Sequence, residues 1–274
     1  MTREYVTVQG TEVPAVGLGT WRLTGEDCYD AVRTALDLGY RHIDTAQAYG
    51  NERQVGAAIR DSDVAREDVF LATKLNVGNR GRDAVLRSTE ESLAKLDTAY
   101  ADLLLIHNTA QRTPLGETLD AMNDLRDRDK VRHLGVSNFD VEKLHRAREL
   151  SDAPILTNQV QYNPYWLQTG LLDYCSIHDV LLTAYSPLAH GAVLDDPVLD
   201  DIGARYDKSA AQVAIRWLVQ QDGVATVPKA TSTGHLRANL DVFDFELTDA
   251  EMEAVRRPSK RRALSGFVRG RLPV

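Results

Sequence analysis

The chain has 274 residues, 43% of them hydrophobic, and a net charge of −8. That is enough apolar content for one large core, and the acidic balance excludes general binding of nucleic acids or anionic membranes. The two cysteines, Cys28 and Cys175, are far apart and lack CxxC spacing, which excludes a disulfide framework and a structural zinc site.

The N-terminal M-T-R-E-Y-V-T-V has no apolar signal core, and no apolar run approaches the ~18 residues of a membrane span. A cytoplasmic protein with no membrane partner is expected. Residues 4–8 alternate, Gln9-Gly10 turns, and residues 12–16 return, which predicts a short hairpin. A different rhythm then begins. Val16 to Thr20 reads as a strand and Gly25 to Leu38 as a helix, with Ala31, Val32, Ala35 and Leu36 on one face. Tyr40 to Asp44 is a strand, and a helix spans 52–60. Val69 to Lys74 and the helix 82–96 repeat the unit. Ala101 to His107 is almost continuously apolar, as a parallel strand covered on both faces should be. The pattern continues through helix 115–127, strand 131–136, helix 140–150, strand 155–160, helix 167–178 and strand 180–185. Two helices, 197–206 and 209–221, precede the last strand at 224–227. Helices at 233–240 and 248–257 follow it. Thr248 and Glu251 form a capping box at the start of the second.

Eight strands, each followed by a helix, predict an α/β fold: a (β/α)8 TIM barrel with an N-terminal β-hairpin and extra C-terminal helices, in one domain over residues 1–274. A doubly wound dinucleotide fold would place G-x-G-x-x-G after its first strand, and G-L-G-T-W is not that motif.

In such a barrel the chemistry sits at the C-terminal ends of the strands. Those ends read Thr20-Trp21, Asp44, Lys74, His107, Ser137-Asn138, Gln159, Tyr185-Ser186 and Lys229. Each is polar or aromatic, whereas the strand interiors are Leu, Ile, Val and Ala. Any one could be a solvated rim residue, but all of them together converge on a pocket. Tyr49 lies five residues past Asp44, in the loop after the same strand. A phenol with a pKa near 10 needs help to act as an acid at neutral pH, and a neighbouring ammonium lowers that pKa. The expected set is therefore Tyr49 as general acid/base, Lys74 as its tuner, Asp44 as the counter-ion of Lys74, and His107 as the hydrogen bonder that orients a substrate oxygen. It contains no activated nucleophile and no metal ligands.

Protonating an oxygen pairs naturally with hydride delivery to its carbon, which calls for a nicotinamide. Ser137, Asn138 and Gln159 suit its carboxamide, and Tyr185 suits its flat ring. V-P-K-A-T-S at 227–232 leads into a helix whose amides suit a phosphate, with Lys229, Ser232 and His235 near an extra anionic group.

These motifs together resemble the aldo-keto reductases over almost the whole chain. They are V-G-L-G-T-W (16–21), G-Y-R-H-I-D-T-A-Q-A-Y-G-N-E (39–52), L-A-T-K-L (71–75), D-L-L-L-I-H (102–107), G-V-S-N-F (135–139), N-Q-V-Q-Y-N-P (158–164), A-Y-S-P-L (184–188) and V-F-D-F-E-L-T (242–248). The likeness is greatest to the short microbial members that include the 2,5-diketo-D-gluconate reductases. The resemblance implies a tetrad of Asp44, Tyr49, Lys74 and His107 and NADPH-dependent reduction of aldehydes or ketones, diketo sugar acids and small dicarbonyls included. It implies cofactor contacts from Thr20, Trp21, Asp44, Ser137, Asn138, Gln159 and Tyr185. Ser186 and Leu188 would contact the pyrophosphate, and Lys229, Ser232, His235 and Asn239 the adenosine 2′-phosphate. Trp21, Tyr49, Asn76, His107 and Asn108 would line the substrate pocket of a monomeric enzyme.

Three positions depart from the family pattern. Asn108 stands where Trp is common, Asn76 replaces a second aromatic, and His235 replaces an Arg. The first two imply a wider, wetter pocket. The third exchanges a permanently charged bidentate donor for a ring without that fork, so NADH is expected to be used as well as NADPH. The basic C-terminal stretch is a solvated tail or a cover that brings Phe267 to substrate. Two rival functions are a Schiff-base aldolase using Lys74 and a reductase-like binding subunit.

Overall fold

A computed structural model describes residues 4–109, 113–257 and 259. Strands β1 (Tyr5–Val8) and β2 (Thr11–Pro14) form an antiparallel hairpin. Eight further strands form a parallel sheet: β3 (Leu18–Gly19), β4 (His42–Asp44), β5 (Phe70–Leu75), β6 (Ala101–Ile106), β7 (Val131–Ser137), β8 (Ile155–Gln161), β9 (Leu181–Tyr185) and β10 (Val224–Thr226). They are arranged in sequence order, each hydrogen-bonded to the next. The outer two are rejoined by a parallel bridge between Val16 and Thr226. The ring of strands is thus closed, which leaves no free sheet edge. The expected α/β barrel and its N-terminal hairpin are observed.

Helices α1 (Gly25–Leu38), α2 (Glu52–Arg60), α3 (Arg82–Leu96), α4 (Leu115–Asp127), α5 (Val141–Leu150) and α6 (Thr169–Ile177) follow successive strands. Helices α7 (Pro197–Tyr206) and α8 (Ala210–Val219) both lie between β9 and β10, and α9 (Thr233–Leu240) and α10 (Asp249–Val255) end the series. Several bounds match the sequence pattern, and the exceptions have local causes. Helix α6 starts later than periodicity suggests because Asn163 ties up the preceding residues, accepting from the amides of Tyr165 and Trp166 through its side chain. Strand β4 begins at His42, and Tyr40, buried just before it, turns its phenol to the carbonyl of Leu236 in α9. The predicted capping box at Thr248 and Glu251 is present, and a second one joins Ser209 and Gln212 at the start of α8.

Alternation along the strands sorts the core into layers. Leu104 and Ile106 of β6 pack outward among residues of the helical layer, while Leu103 and Leu105 point into the barrel. There they meet Ala72, Leu156, Leu181 and Ala225, with Val8 and Val13 of the hairpin. The hairpin therefore fills the barrel's N-terminal end and leaves the opposite end for the polar strand termini. Among the described residues, no helix is long and apolar enough to cross a membrane.

The closing seam is narrow. Gly17 donates to Thr226 O at 2.8 Å, Thr226 to Ala15 O at 2.8 Å, and Gly19 to Pro228 O at 3.1 Å. Gly19 lies so near β10 that a Cβ there would stand 2.5 Å from the carbonyl oxygen of Val227. Only glycine admits that approach. Gly19→Ala is expected to push the seam apart and cost about 1–3 kcal/mol, as overpacking against a fixed backbone does; urea unfolding measures it, and an unchanged midpoint would refute the seam's dependence on this glycine.

Candidate active site

Four side chains from three neighbouring strands meet at the open end of the barrel. Asp44 is the last residue of β4 and Lys74 the fifth of β5, and both are buried, at 3% and 0% exposure. Tyr49 ends a single 3-10 turn, residues 47–49, that follows β4. His107 is the first residue beyond β6.

Lys74 Nζ donates to Asp44 Oδ1 at 2.5 Å, to the carbonyl of Thr45 at 3.0 Å and to the Tyr49 hydroxyl at 3.3 Å. All three ammonium protons are taken. The second oxygen of Asp44 accepts from Gln159 Nε2 at 2.7 Å. The Tyr49 and His107 rings meet edge-on, with centroids 5.7 Å apart. Burial alone would strip Lys74 of its proton, but Asp44 and then Tyr49 outweigh it and hold the ammonium above its ordinary pKa. His107 is pushed down to about 4, chiefly by burial and then by the charge of Lys74, so its imidazole is neutral.

Tyr49 corrects the sequence-based expectation. Lys74 does pull its pKa down, but burial is the larger effect and Asp44 adds to it, so the phenol lies above its ordinary value. The group thus holds its proton at neutral pH.

A cavity of about 600 Å³ opens onto these residues. Asp44, Tyr49 and His107 line it, with Trp21, Ser137, Asn138, Gln159, Tyr185, Ser186, Leu188 and Lys229. The Tyr185 hydroxyl donates to Asn138 Oδ1 at 2.7 Å, and Asn138 Nδ2 donates to the His107 carbonyl at 3.1 Å. Asn138 holds the left-handed backbone conformation, φ 63°, that this turn needs and that asparagine tolerates. Arg22 and His190, which sequence reading did not single out, also line the cavity. The Trp21 indole bridges them, with the Arg22 guanidinium 4.4 Å from its centroid and the His190 ring 5.9 Å away. Their signal was only adjacency, to Trp21 and Leu188.

Other expected residues lie elsewhere. Thr20 is fully buried, and its hydroxyl donates to the carbonyl of Asp44. Ser232 caps α9, accepting from the amide of His235, whose side chain is exposed. Asn239 is buried, with its amide on the Tyr40 phenol. Asn76 and Asn108 stand at the ends of β5 and β6 but are not part of the cavity wall. The expected contact of Phe267 lies outside the described residues. Among the described residues, no group of three or more His, Cys, Asp or Glu could hold a metal ion.

Burial lowers the pKa of several histidines, among them His107, to about 4, and His42, fully buried where it makes an edge contact with Phe70. In the unfolded chain both titrate near 6.5. Between about pH 6.5 and 4 the unfolded state therefore binds more protons, so stability falls as pH falls through that window. Urea unfolding at several pH values should show a shallower fall for His42→Phe than for the unaltered protein. Identical slopes would mean that His42 is not neutral in the fold.

Residues 15–259 match the model of the Aldo/keto reductase family. The chain is 38% identical over 247 residues to a glyoxal reductase of Bacillus subtilis, covering 90% of this chain and 89% of that one. A crystal structure of a putative 2,5-diketo-D-gluconic acid reductase B superposes with a TM-score of 0.92 at 47% identity, covering 93% and 91% of the two chains. A Bombyx mori aldo-keto reductase in complex with NADP gives a TM-score of 0.87 at 34% identity, covering 93% and 92%.

Proposed function

The chain belongs to the aldo/keto reductase family, and from that premise we propose that it reduces the carbonyl group of a small molecule to an alcohol, with NADPH as cofactor and Tyr49 as proton donor. The observation that carries this reading is the Tyr49 hydroxyl, protonated and 3.3 Å from a buried ammonium, facing an open cavity.

The residues present fit a nicotinamide. Ser137 and Asn138 offer hydroxyl and amide groups for a carboxamide, and Tyr185 offers a flat ring beside them. Ser186, Leu188 and Lys229 continue the same wall and suit the phosphates. When bound, a nicotinamide supplies the hydride. The chain's own groups do the rest. His107, neutral, presents a ring N–H to the carbonyl oxygen and orients it. As negative charge grows on that oxygen, Tyr49 Oη gives up its proton to it. The phenolate left behind faces Lys74 at 3.3 Å, an attraction of about 4–5 kcal/mol at an effective dielectric near 20. Asp44 keeps Lys74 charged throughout and does not itself handle the proton.

The names of two relatives, a glyoxal reductase and a diketogluconic acid reductase, support dicarbonyls or diketo sugar acids as the substrate class. We read the protein as a cytoplasmic monomer acting on a diffusible substrate. A Schiff-base mechanism is disfavoured, because an amine nucleophile must shed its proton, whereas Lys74 is held protonated with every N–H engaged.

Absorbance at the nicotinamide band with a panel of aldehydes, ketones and dicarbonyls tests the proposal. Tyr49→Phe should lower kcat by roughly 10²–10⁴, the range for a lost general acid, while leaving cofactor affinity nearly unchanged; a variant that keeps most of its activity would remove Tyr49 from the role. Exposed His235 at the start of α9 leads to a further expectation. The kcat/KM preference for NADPH over NADH should stay below about a thousandfold, or roughly 4 kcal/mol. A larger ratio, measured with one aldehyde, would show that the imidazole does not weaken phosphate recognition.

A further inference from the structure

Tyr49 follows β4, Lys74 lies near the end of β5 and His107 follows β6, and something must hold the segments beyond these three strands in register. A chain of hydrogen bonds outside the cavity wall links all three. Gln47, two residues before Tyr49, accepts through Oε1 from the Asn76 amide at 2.8 Å and from Asn79 Nδ2 at 3.0 Å. Its Nε2 donates to Ser88 O and Ser92 Oγ on α3. Asn76 is two residues past Lys74. Its carbonyl accepts from Arg80 Nε at 3.3 Å, and Arg80 Nη2 donates to the carbonyl of Asn108, the neighbour of His107, at 3.2 Å. The carbonyl of Arg80 itself accepts from Thr118 Oγ1 at 2.7 Å. One residue, Asn76, is thus gripped at its N–H by Gln47 and at its C=O by Arg80.

Arg80 is an unusual residue to find there. It is 2% exposed, no carboxylate among the described residues pairs with it, and its Nη1 is buried without a partner. Burial lowers its pKa to about 10, so it still carries its charge at neutral pH. A buried cation without a counter-ion is unfavourable for folding alone. Lysine could supply the charge, but only a planar guanidinium reaches two carbonyls at once from a fixed fork.

We propose that Arg80, with Gln47, is a positioning residue for carbonyl reduction, tying the loops after β4, β5 and β6 so that Tyr49, Lys74 and His107 keep their spacing about the substrate oxygen. The inference rests on the reductase reading above. It also gives Asn76 and Asn108, where aromatic walls are common in the family, a different use: their backbone carbonyls are the two anchors of the clamp. Arg80 has a second effect through its charge. The charged and titratable groups facing His107 are Asp44 from β4, Tyr49 from the 3-10 turn, Lys74 from β5 and Arg80 from the following loop. Of these, Lys74 and Arg80 both favour the neutral imidazole and Asp44 opposes them.

Three variants, Arg80→Lys, Arg80→Met and Gln47→Leu, test the clamp. Each is assayed for kcat and KM with NADPH and an activated aromatic aldehyde, for NADPH affinity by fluorescence quenching, and for the His107 titration by NMR. Arg80→Lys keeps the charge and loses the fork; it should lower kcat by about tenfold or more, as small misplacements of catalytic groups do, with NADPH affinity within about twofold of the unaltered protein. Arg80→Met should lose as much kcat and also raise the His107 titration, because it removes a positive charge that favours the neutral imidazole. Gln47→Leu should lower kcat without moving that titration. The proposal is overturned if Arg80→Met and Gln47→Leu turn over like the unaltered protein, or if kcat and NADPH affinity fall together, which would mark a purely structural residue. It is equally overturned if the His107 titration stays fixed in Arg80→Met. Should Arg80→Met not fold, Arg80→Lys and Gln47→Leu decide the matter. Failure of the unaltered protein to oxidise NADPH with any carbonyl would instead overturn the reductase reading, and the His107 titration would still judge Arg80.

Discussion

The buried ion pair of Asp44 and Lys74 is the constraint around which the open end of the barrel is built. A lysine at 0% exposure survives as an ammonium only if the charge is answered at close range, and Asp44 answers it at 2.5 Å. From that one contact follow the grip on the Thr45 carbonyl, the hold on the Tyr49 hydroxyl and the capture of Gln159 by the second carboxylate oxygen. The pair is costly in isolation. What it yields is a permanent positive charge beside a phenol in a place that water reaches poorly. The carboxylate holds the lysine's charge against burial, and that charge in turn pulls the phenol's pKa down against the burial that raises it.

Much of this was legible in the sequence because a parallel barrel covers its strands on both faces. Inside such strands a polar residue has no water to turn to, so Asp44 and Lys74 stood out against Leu, Ile and Val. Their position at strand ends, with His107, assigns them a common location, because all parallel barrel strands end on one face. Other features were not legible, for physical reasons. The sign of the Tyr49 shift depends on how tightly other groups pack over it, and burial there outweighs the nearby ammonium. Which way a side chain turns after a strand end depends on its neighbours in space. Thr20 turns onto a carbonyl and Asn239 toward Tyr40, and neither lines the cavity. Arg80 was not legible because an arginine in a polar loop is ordinarily a solvated one, whereas here the fold closes it in with two carbonyls.

The electrostatic character of the cavity also differs from that of the chain. The protein carries a net charge of −8, yet among the described residues the cavity is lined by one carboxylate, Asp44, which is bound to Lys74, and by two basic side chains, Arg22 and Lys229. A cationic recess in an acidic body focuses field lines toward the recess and draws anions to it. Phosphates of a dinucleotide have that charge, and so do the carboxylates of sugar acids.

The short seam between the first and last barrel strands has a consequence for motion. Strands β3 and β10 span two and three residues, whereas β7 and β8 span seven each. Local opening of a protein starts where the fewest hydrogen bonds must break together. Opening is expected to start along this line, and Gly19 belongs both to the seam and to the cavity wall. Any ligand that bridges the two sides of the cavity there would act as a rivet across the joint, and amide exchange at Gly17, Gly19 and Thr226 would slow on binding more than exchange in the middle of the sheet.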